Sequence, residues 1–337
     1  DLNLQLGARY TDTDIDFSGC SLNAANQTFA IGFSRSLGYT GVIPLGECVT
    51  FSNTTPQVPE LFVDSKSESN VSWRAGLDWD VGTNTLLYAN VSRGYKAGGY
   101  PTLPATNAPQ YTPMDQEKIT AYEVGVKATL FERTLQLNGA VFYNDYVDKQ
   151  LKGRTIVPVF GPLEALVNIP KSKVQGAELQ INWAPIAGLR LSSGLTYLDT
   201  EVTEGSPGGN YTTFGGAVRT NLKGQEFPYM SEWQISADGE YSFGLTNALD
   251  GFVGVGANYR SKANGDFLPD PRLDIDAYTL IDLRLGVASS DEKWRATLYG
   301  RNITDEYYWV TANRRTDSVV RYAGMPRTYG ISLSYRY

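Results

Sequence analysis

The sequence predicts an all-β chain, a transmembrane antiparallel β-barrel wall of about twelve strands, and three observations predict it. Segments of about ten residues recur in which one parity is apolar and the other polar. The connections between them alternate between short and long. Aromatic residues gather at the segment ends.

Each segment carries the pattern in turn. The first has Leu2, Leu4, Leu6, Ala8 and Tyr10 on one parity and Asn3, Gln5 and Arg9 on the other. The second has Val71, Trp73, Ala75, Leu77 and Trp79. The third has Leu87, Ala89, Val91 and Tyr95, with Arg93 interrupting the apolar face. Tyr122, Val124, Val126, Ala128 and Leu130 mark the fourth, and Leu135, Leu137, Val141 and Tyr143 the fifth. The sixth carries Ala177, Leu179, Ile181 and Trp183, the seventh Leu189, Leu191, Leu195 and Tyr197. The eighth carries Trp233, Ile235, Ala237 and Tyr241, the ninth Val253, Val255, Ala257 and Tyr259. Thr279, Ile281, Leu283, Leu285 and Val287 form the tenth, and Trp294, Ala296 and Leu298 the eleventh. The last is Tyr329, Ile331, Leu333, Tyr335 and Tyr337.

Alternation alone also suits a soluble sandwich, which buries its apolar parity. The connections decide for a barrel. Short ones fall near 82–84, 132–133, 185–188, 246–250 and 289–292, and long ones span 17–67, 101–116, 151–170, 203–228, 262–274 and 305–322. Short turns at one end and long loops at the other are the outer-membrane arrangement, periplasmic and extracellular respectively. The last strand ends on the short-turn side, so the C-terminus is expected in the periplasm.

Composition agrees. Of 337 residues 42% are hydrophobic and 19% charged, below the roughly 25% usual in soluble domains. Lys and Arg number 29 against 36 Asp and Glu, a balance that argues against nucleic acid. Histidine is absent, which removes histidine-dependent triads and metal sites, and no nucleophile–base pair is argued by spacing, so no catalysis is expected. Cys20 and Cys48 lie in one Gly/Ser/Asn/Thr-rich stretch; an even count there suggests a disulfide, two free thiols being the other reading. No apolar run reaches the 18 residues of a membrane helix. Asp1 opens directly in strand pattern, so a removed leader or a longer chain is expected.

Several stretches resemble TonB-dependent outer-membrane receptors. Ser92-Arg93-Gly94-Tyr95-Lys96-Ala97-Gly98-Gly99-Tyr100 after Leu87-Tyr88-Ala89-Asn90-Val91 resembles a signature strand of that family. So do Tyr122-Glu123-Val124-Gly125-Val126-Lys127, Val174-Gln175-Gly176-Ala177-Glu178-Leu179, and Arg301-Asn302-Ile303-Thr304-Asp305-Glu306-Tyr307-Tyr308. The terminal strand, with Tyr329, Ile331, Leu333, Tyr335 and Tyr337, resembles the signal read by the barrel-assembly machinery. The resemblance runs from about residue 71 to 337. It implies a barrel of about 22 strands around a plug domain, of which residues 1–337 are the C-terminal part. The plug and about ten strands would come from a missing segment or a separate chain, because open sheet edges in lipid leave backbone groups unsatisfied.

The function implied is uptake of a scarce ligand driven through the TonB complex by proton-motive force, with a ferric siderophore as the default. A glycan, cobalamin or other nutrient is the same-class alternative. A passive twelve-stranded porin and a structural or adhesive surface component are alternatives of other classes. Candidate ligand contacts are Lys96, on the lumen parity under the mouth, and the loop residues Tyr100, Tyr111, Arg154, Tyr211, Arg219, Arg260, Arg272, Tyr307, Trp309, Arg314 and Arg315. Phe160, Phe214, Tyr229, Tyr308 and Arg321 share those loops. Arg forks suit carboxylate and catecholate oxygens, and aromatic faces stack on planar groups. Loop packing is the competing role, and a lumenal ion pair is the competing role for Lys96. Arg314, Arg315 and Arg321 equally suit lipopolysaccharide phosphates. Asp12, Asp14 and Asp16 alternate, but their spacing completes no calcium loop, so no metal and no cofactor are expected.

Overall fold

The computed structural model describes residues 1–24, 32, 34–35, 37–52, 57–157, 161–205, 211–212, 218–219, 221–315 and 318–336, with backbone alone at 153–157, 161–165, 211–212, 218–219 and 315. Its strands in chain order are β1 (Leu2–Gly19), β2 (Phe62–Asp80), β3 (Thr85–Lys96), β4 (Glu117–Leu130), β5 (Leu135–Val157), β6 (Gly161–Trp183), β7 (Leu189–Glu204), β8 (Tyr211–Thr212) and β9 (Val218–Arg219). There follow β10 (Trp233–Thr246), β11 (Leu249–Arg260), β12 (Ala263–Asn264), β13 (Asp274–Ile275), β14 (Tyr278–Ser289), β15 (Trp294–Arg301), β16 (Trp309–Arg315), β17 (Ser318–Ala323) and β18 (Thr328–Tyr335).

Twelve strands form one sheet, ordered β1-β2-β3-β4-β5-β6-β7-β10-β11-β14-β15-β18, each antiparallel to its neighbours. These are the twelve expected segments. The other strands make two-stranded hairpins within the long loops. Among the described residues neither β1 nor β18 has an outer partner, so the sheet is not closed. That contradicts the reading of a passive twelve-stranded porin complete in itself, whose first and last strands would pair.

Register keeps like with like. Leu2, Leu4, Leu6 and Ala8 face Trp79, Leu77, Ala75 and Trp73, and Ala296 and Leu298 face Leu333 and Ile331. A one-residue slip would put every one of these on the polar face. No second layer covers the apolar face: Leu6 is 73% exposed and Leu333 78%. A soluble sandwich would bury that face, whereas hydrocarbon stabilises it.

The polar face has a repeated construction. Tyr88, Phe142, Phe252 and Tyr299 each stand opposite a glycine, respectively Gly125, Gly176, Gly286 and Gly330. A Cβ built on each glycine would come within 2.5, 2.9, 2.6 and 2.4 Å of the opposing aromatic side chain, and at Gly176 and Gly286 it would also meet the Tyr197 and Ala296 carbonyls at 2.1 and 2.0 Å. The rings therefore lie flat across the backbone, covering glycines that would otherwise weaken the strands.

Two features depart from the expected loops. First, β1 runs to Gly19 and β2 starts at Phe62, so the strands rise beyond the apolar band. Above Tyr10 the phase of the pattern reverses. Asp12, Asp14 and Asp16 occupy the apolar parity and are exposed, while Phe17 on the other parity stacks on Tyr100 at 4.7 Å. The nine residues Leu2–Tyr10 match the roughly 9–11 a strand needs to cross a bilayer. Second, the expected loop 151–170 is largely strand, since β5 and β6 pair out to Val157 and Gly161. Asp148, at φ 54°, and Pro170 drop out of that ladder together. Proline has no N–H to give, and the local kink turns the side chains over. Below it Val141 and Tyr143 are exposed on the apolar face; above it Ile169 is fully buried among the loops.

The buried residues lie chiefly in the long loops. One cluster joins Val167, Ile169, Val202, Leu222, Phe227, Phe267 and Leu268, and another joins Ala263, Leu273, Ile275 and Ala312.

Candidate functional site

The long-loop end is built as interlocked pieces. Loop 20–61 carries the disulfide Cys20–Cys48, with Cα atoms 5.6 Å apart. Phe51 is fully buried; its N–H donates to the Thr106 carbonyl and its carbonyl accepts from Ala108 N–H. Thr50 and Ser21 hydroxyls both donate to the Ala105 carbonyl, at 2.7 and 2.8 Å. The described parts of loops 20–61 and 97–116 are thereby joined. Phe17, Phe62, Tyr100 and Tyr111 pack beneath them, with ring centres 4.7–6.5 Å apart.

The β5–β6 hairpin ties those loops to their neighbours. The Asn168 side chain accepts from Asp115 N–H at 2.8 Å and donates to the Asp115 and Asp148 carbonyls. Gln150 Nε2 donates to the Ala97 and Asp115 carbonyls. Across the mouth, Tyr229 N–H donates to the Asn264 carbonyl at 2.7 Å, and its hydroxyl bonds to Ala312 and Asn313. Arg321 donates to the Arg272 carbonyl at 2.7 Å and lies over Trp309 at 5.4 Å. Arg272 in turn grips Asp270 in a two-pronged pair at 2.9 and 2.8 Å. Those hydrogen bonds hold the Asp270 carboxyl below the usual carboxylate range, with Arg314 adding to the same field.

Below the loops the polar face forms an open concavity of about 630 Å³, lined among others by Tyr88, Lys127, Glu178, Asp238, Asp282 and Arg284. Its strongest feature is an ion network. Arg284 donates to both Asp238 oxygens at 2.7 Å and to Glu240 at 2.8 Å, and Arg295 reaches the same Glu240 oxygen at 2.9 Å. The Arg295 guanidinium lies 3.4 Å over the Phe252 ring centre.

A family model described as "TonB dependent receptor-like, beta-barrel" matches residues 1–303. The chain belongs to the TonB-dependent receptor β-barrel family. Among curated proteins it is 25% identical over 279 residues to the ferric-pyoverdine M114 receptor PbuA of Pseudomonas sp. strain M114, covering 80% of this chain and 30% of that one. It is 26% identical to the pesticin receptor of Yersinia pestis, covering 76% and 33%. The chain thus spans about a third of the length of these relatives. Among solved structures it resembles the ferric yersiniabactin uptake receptor FyuA of Yersinia pestis, with TM-score 0.66, 20% identity and coverage of 82% and 38%. It also resembles the ferric-catecholate import receptor Fiu of E. coli K12 in its closed form, with TM-score 0.65, 18% identity and coverage of 99% and 42%. The family is one of receptors and transporters of the Gram-negative outer membrane.

In a barrel of this family the polar face lines the lumen, and here the long loops gather at one end of the sheet. Lys96 ends β3 opposite Glu117, exposed on the lumen side. Arg260 ends β11, exposed beside Tyr278. Tyr307 is 71% exposed, edge-on to Trp309 at 5.1 Å. These three side chains are exposed. Tyr100 and Tyr111 are buried in the aromatic cluster, so their rings hold loops together. Trp309 packs on the second buried cluster, and Arg272 is occupied by Asp270. Arg314 stands opposite Val319 in the β16–β17 hairpin. Arg154 stands opposite Glu164 and Tyr211 opposite Arg219, by backbone alone. The side chains of those residues and of Arg315 lie outside the described residues, as do Phe160, Phe214 and Tyr337 altogether. Among the described residues no group of acidic or cysteine side chains could hold a metal ion. Tyr329, Ile331, Leu333 and Tyr335 are exposed on the apolar face. Tyr229, one of the loop aromatics, takes the loop-packing role, and Asn168 went unmarked in the sequence; a polar residue among apolar neighbours was the available signal for it.

Proposed function

We propose that residues 1–337 are the C-terminal part of an outer-membrane receptor that takes up a ferric siderophore. The observation that carries this reading is the family match together with the relative named for ferric-pyoverdine. The long loops face the exterior and the short turns and C-terminus face the periplasm. The mouth presents Lys96, Arg260 and Tyr307, a cation-and-ring chemistry suited to an anionic, partly aromatic iron chelate. The remaining strands pair with β1 and β18, and a plug occupies the lumen wall around Arg284. Motion of that plug, driven through the TonB complex, releases the ligand inward, so this chain supplies wall and mouth rather than chemistry.

The test is binding by the purified full receptor, followed by tryptophan fluorescence across ferric catecholate, hydroxamate and mixed chelates, with cobalamin and an oligosaccharide as comparators. Saturable quenching by a ferric chelate is expected, weakened about tenfold in the Lys96→Ala/Arg260→Ala variant, two charge contacts at roughly 0.7 kcal/mol each. Binding only of cobalamin or glycan would redirect the ligand class.

A further inference from the structure

Across β3–β6 the register fixes which membrane-facing residues stand side by side. The top of the apolar band is the row Val91, Tyr122, Tyr143, Gln175. One step toward the loops the row reads Arg93, Thr120, Asp145, Lys173, and the next reads Tyr95, Lys118, Val147, Lys171. All share the parity of the lipid-facing stripe. Cations on that parity, directly above an aromatic girdle, lie at headgroup height.

Their partners differ. Lys173 is paired with Glu201 at 2.9 Å and Lys171 with Glu204, and Asp145 stands by register beside Lys173. Arg93 and Lys118 have no ion pair among the described residues. Arg93 uses Nε alone, donating to Thr120 Oγ1 at 3.3 Å, and its guanidinium lies 5.8 Å from the Trp73 ring centre. That one bond and the stacked ring fix its orientation and leave its terminal amino groups for a ligand. Lys118 is one diagonal step away, opposite Tyr95. Off the rows, Lys118 acts electrostatically on Asp148 at the β5 kink.

We infer that Arg93 and Lys118 form a phosphate clamp for a phosphorylated glycolipid of the outer leaflet. The phosphate sits between guanidinium and ammonium, and the acyl chains lie along Trp73, Val91 and Tyr122. An Arg fork with free terminal donors is the side chain best matched to phosphate oxygens. A free ligand of the mouth is excluded as occupant because these side chains face away from the lumen. Of the loop arginines suited to the same phosphates, Arg321 is engaged with the Arg272 carbonyl and Trp309. The inference rests on the outer-membrane reading above.

The full receptor, incorporated into phosphatidylcholine vesicles with bis-phosphorylated or dephosphorylated lipid A, tests it. The readout is lipid A retained per receptor after detergent extraction, measured by its fatty acids. Wild type should retain the phosphorylated form preferentially. Arg93→Gln and Lys118→Gln should each lower retention about fivefold, the equivalent of one surface charge, and Arg93→Lys less. Equal retention of both glycolipids by wild type, or unchanged retention in the double variant, overturns the clamp. Trypsin resistance of the inserted barrel is measured in parallel. Failure to insert at all refutes the membrane reading instead, and the wild-type glycolipid comparison stands if only a variant fails to insert.

Discussion

Asp270 and Arg272 show how one pair organises a mouth. The Arg272 carbonyl accepts from Arg321 while its guanidinium holds Asp270, so a single residue fastens loop 261–277 to the β16–β17 hairpin. A carboxyl whose folded value is depressed stabilises above its unfolded value and loses that contribution as pH falls through the folded one. The exchange-rate protection of the Gly265 and Leu273 amides should therefore hold from neutral pH to about 4 and decline below it. Asp270→Asn should abolish that acid-dependent step. At the wall, Arg284→Ala leaves Asp238 facing no cation in the network and should destabilise the barrel by about 1–2 kcal/mol, read as a lower urea midpoint. Substituting Asp238 and Arg284 together should be milder, since Glu240 keeps Arg295 and no uncompensated charge is left.

At the scale of elements, the twelve sheet strands were legible because lipid on one side and polar lumen on the other enforce strict alternation. The β5–β6 extension was not, because Asp148 and Pro170 reverse the parity and the pattern reads as two unrelated halves. The ring-over-glycine pairs were invisible for a different reason: register brings Phe252 to Gly286 across 34 positions, the difference of those numbers. Those pairs predict that Gly286→Val, besides pressing on the Ala296 carbonyl 2.0 Å from the new Cβ, drives the Phe252 ring off the backbone and out from under Arg295. The expected destabilisation is about 1–3 kcal/mol by urea unfolding, the range of overpacked sites. Phe252→Ala in the same background should restore part of it, whereas additive losses would contradict the pairing.

Across the whole molecule, the open sheet and the long loops describe a length of barrel wall and its rim, which the proposed function completes with further strands. The site was only half readable in sequence. Lys96 and Tyr307 stand where parity and motif put them, but Tyr100 and Tyr111 are equally tyrosines in loops, and only tertiary packing separates a buried ring from a presented one. The central claim is that this chain is part of an energised ferric-siderophore receptor. The most direct measurement is uptake of radioactive iron, supplied as the ferric chelate bound best by the purified receptor, into iron-starved cells with and without the gene. Uptake should require the gene and stop when a protonophore collapses the proton-motive force. Gene-dependent uptake that continues unchanged with the protonophore, or uptake indifferent to the gene, would contradict the account.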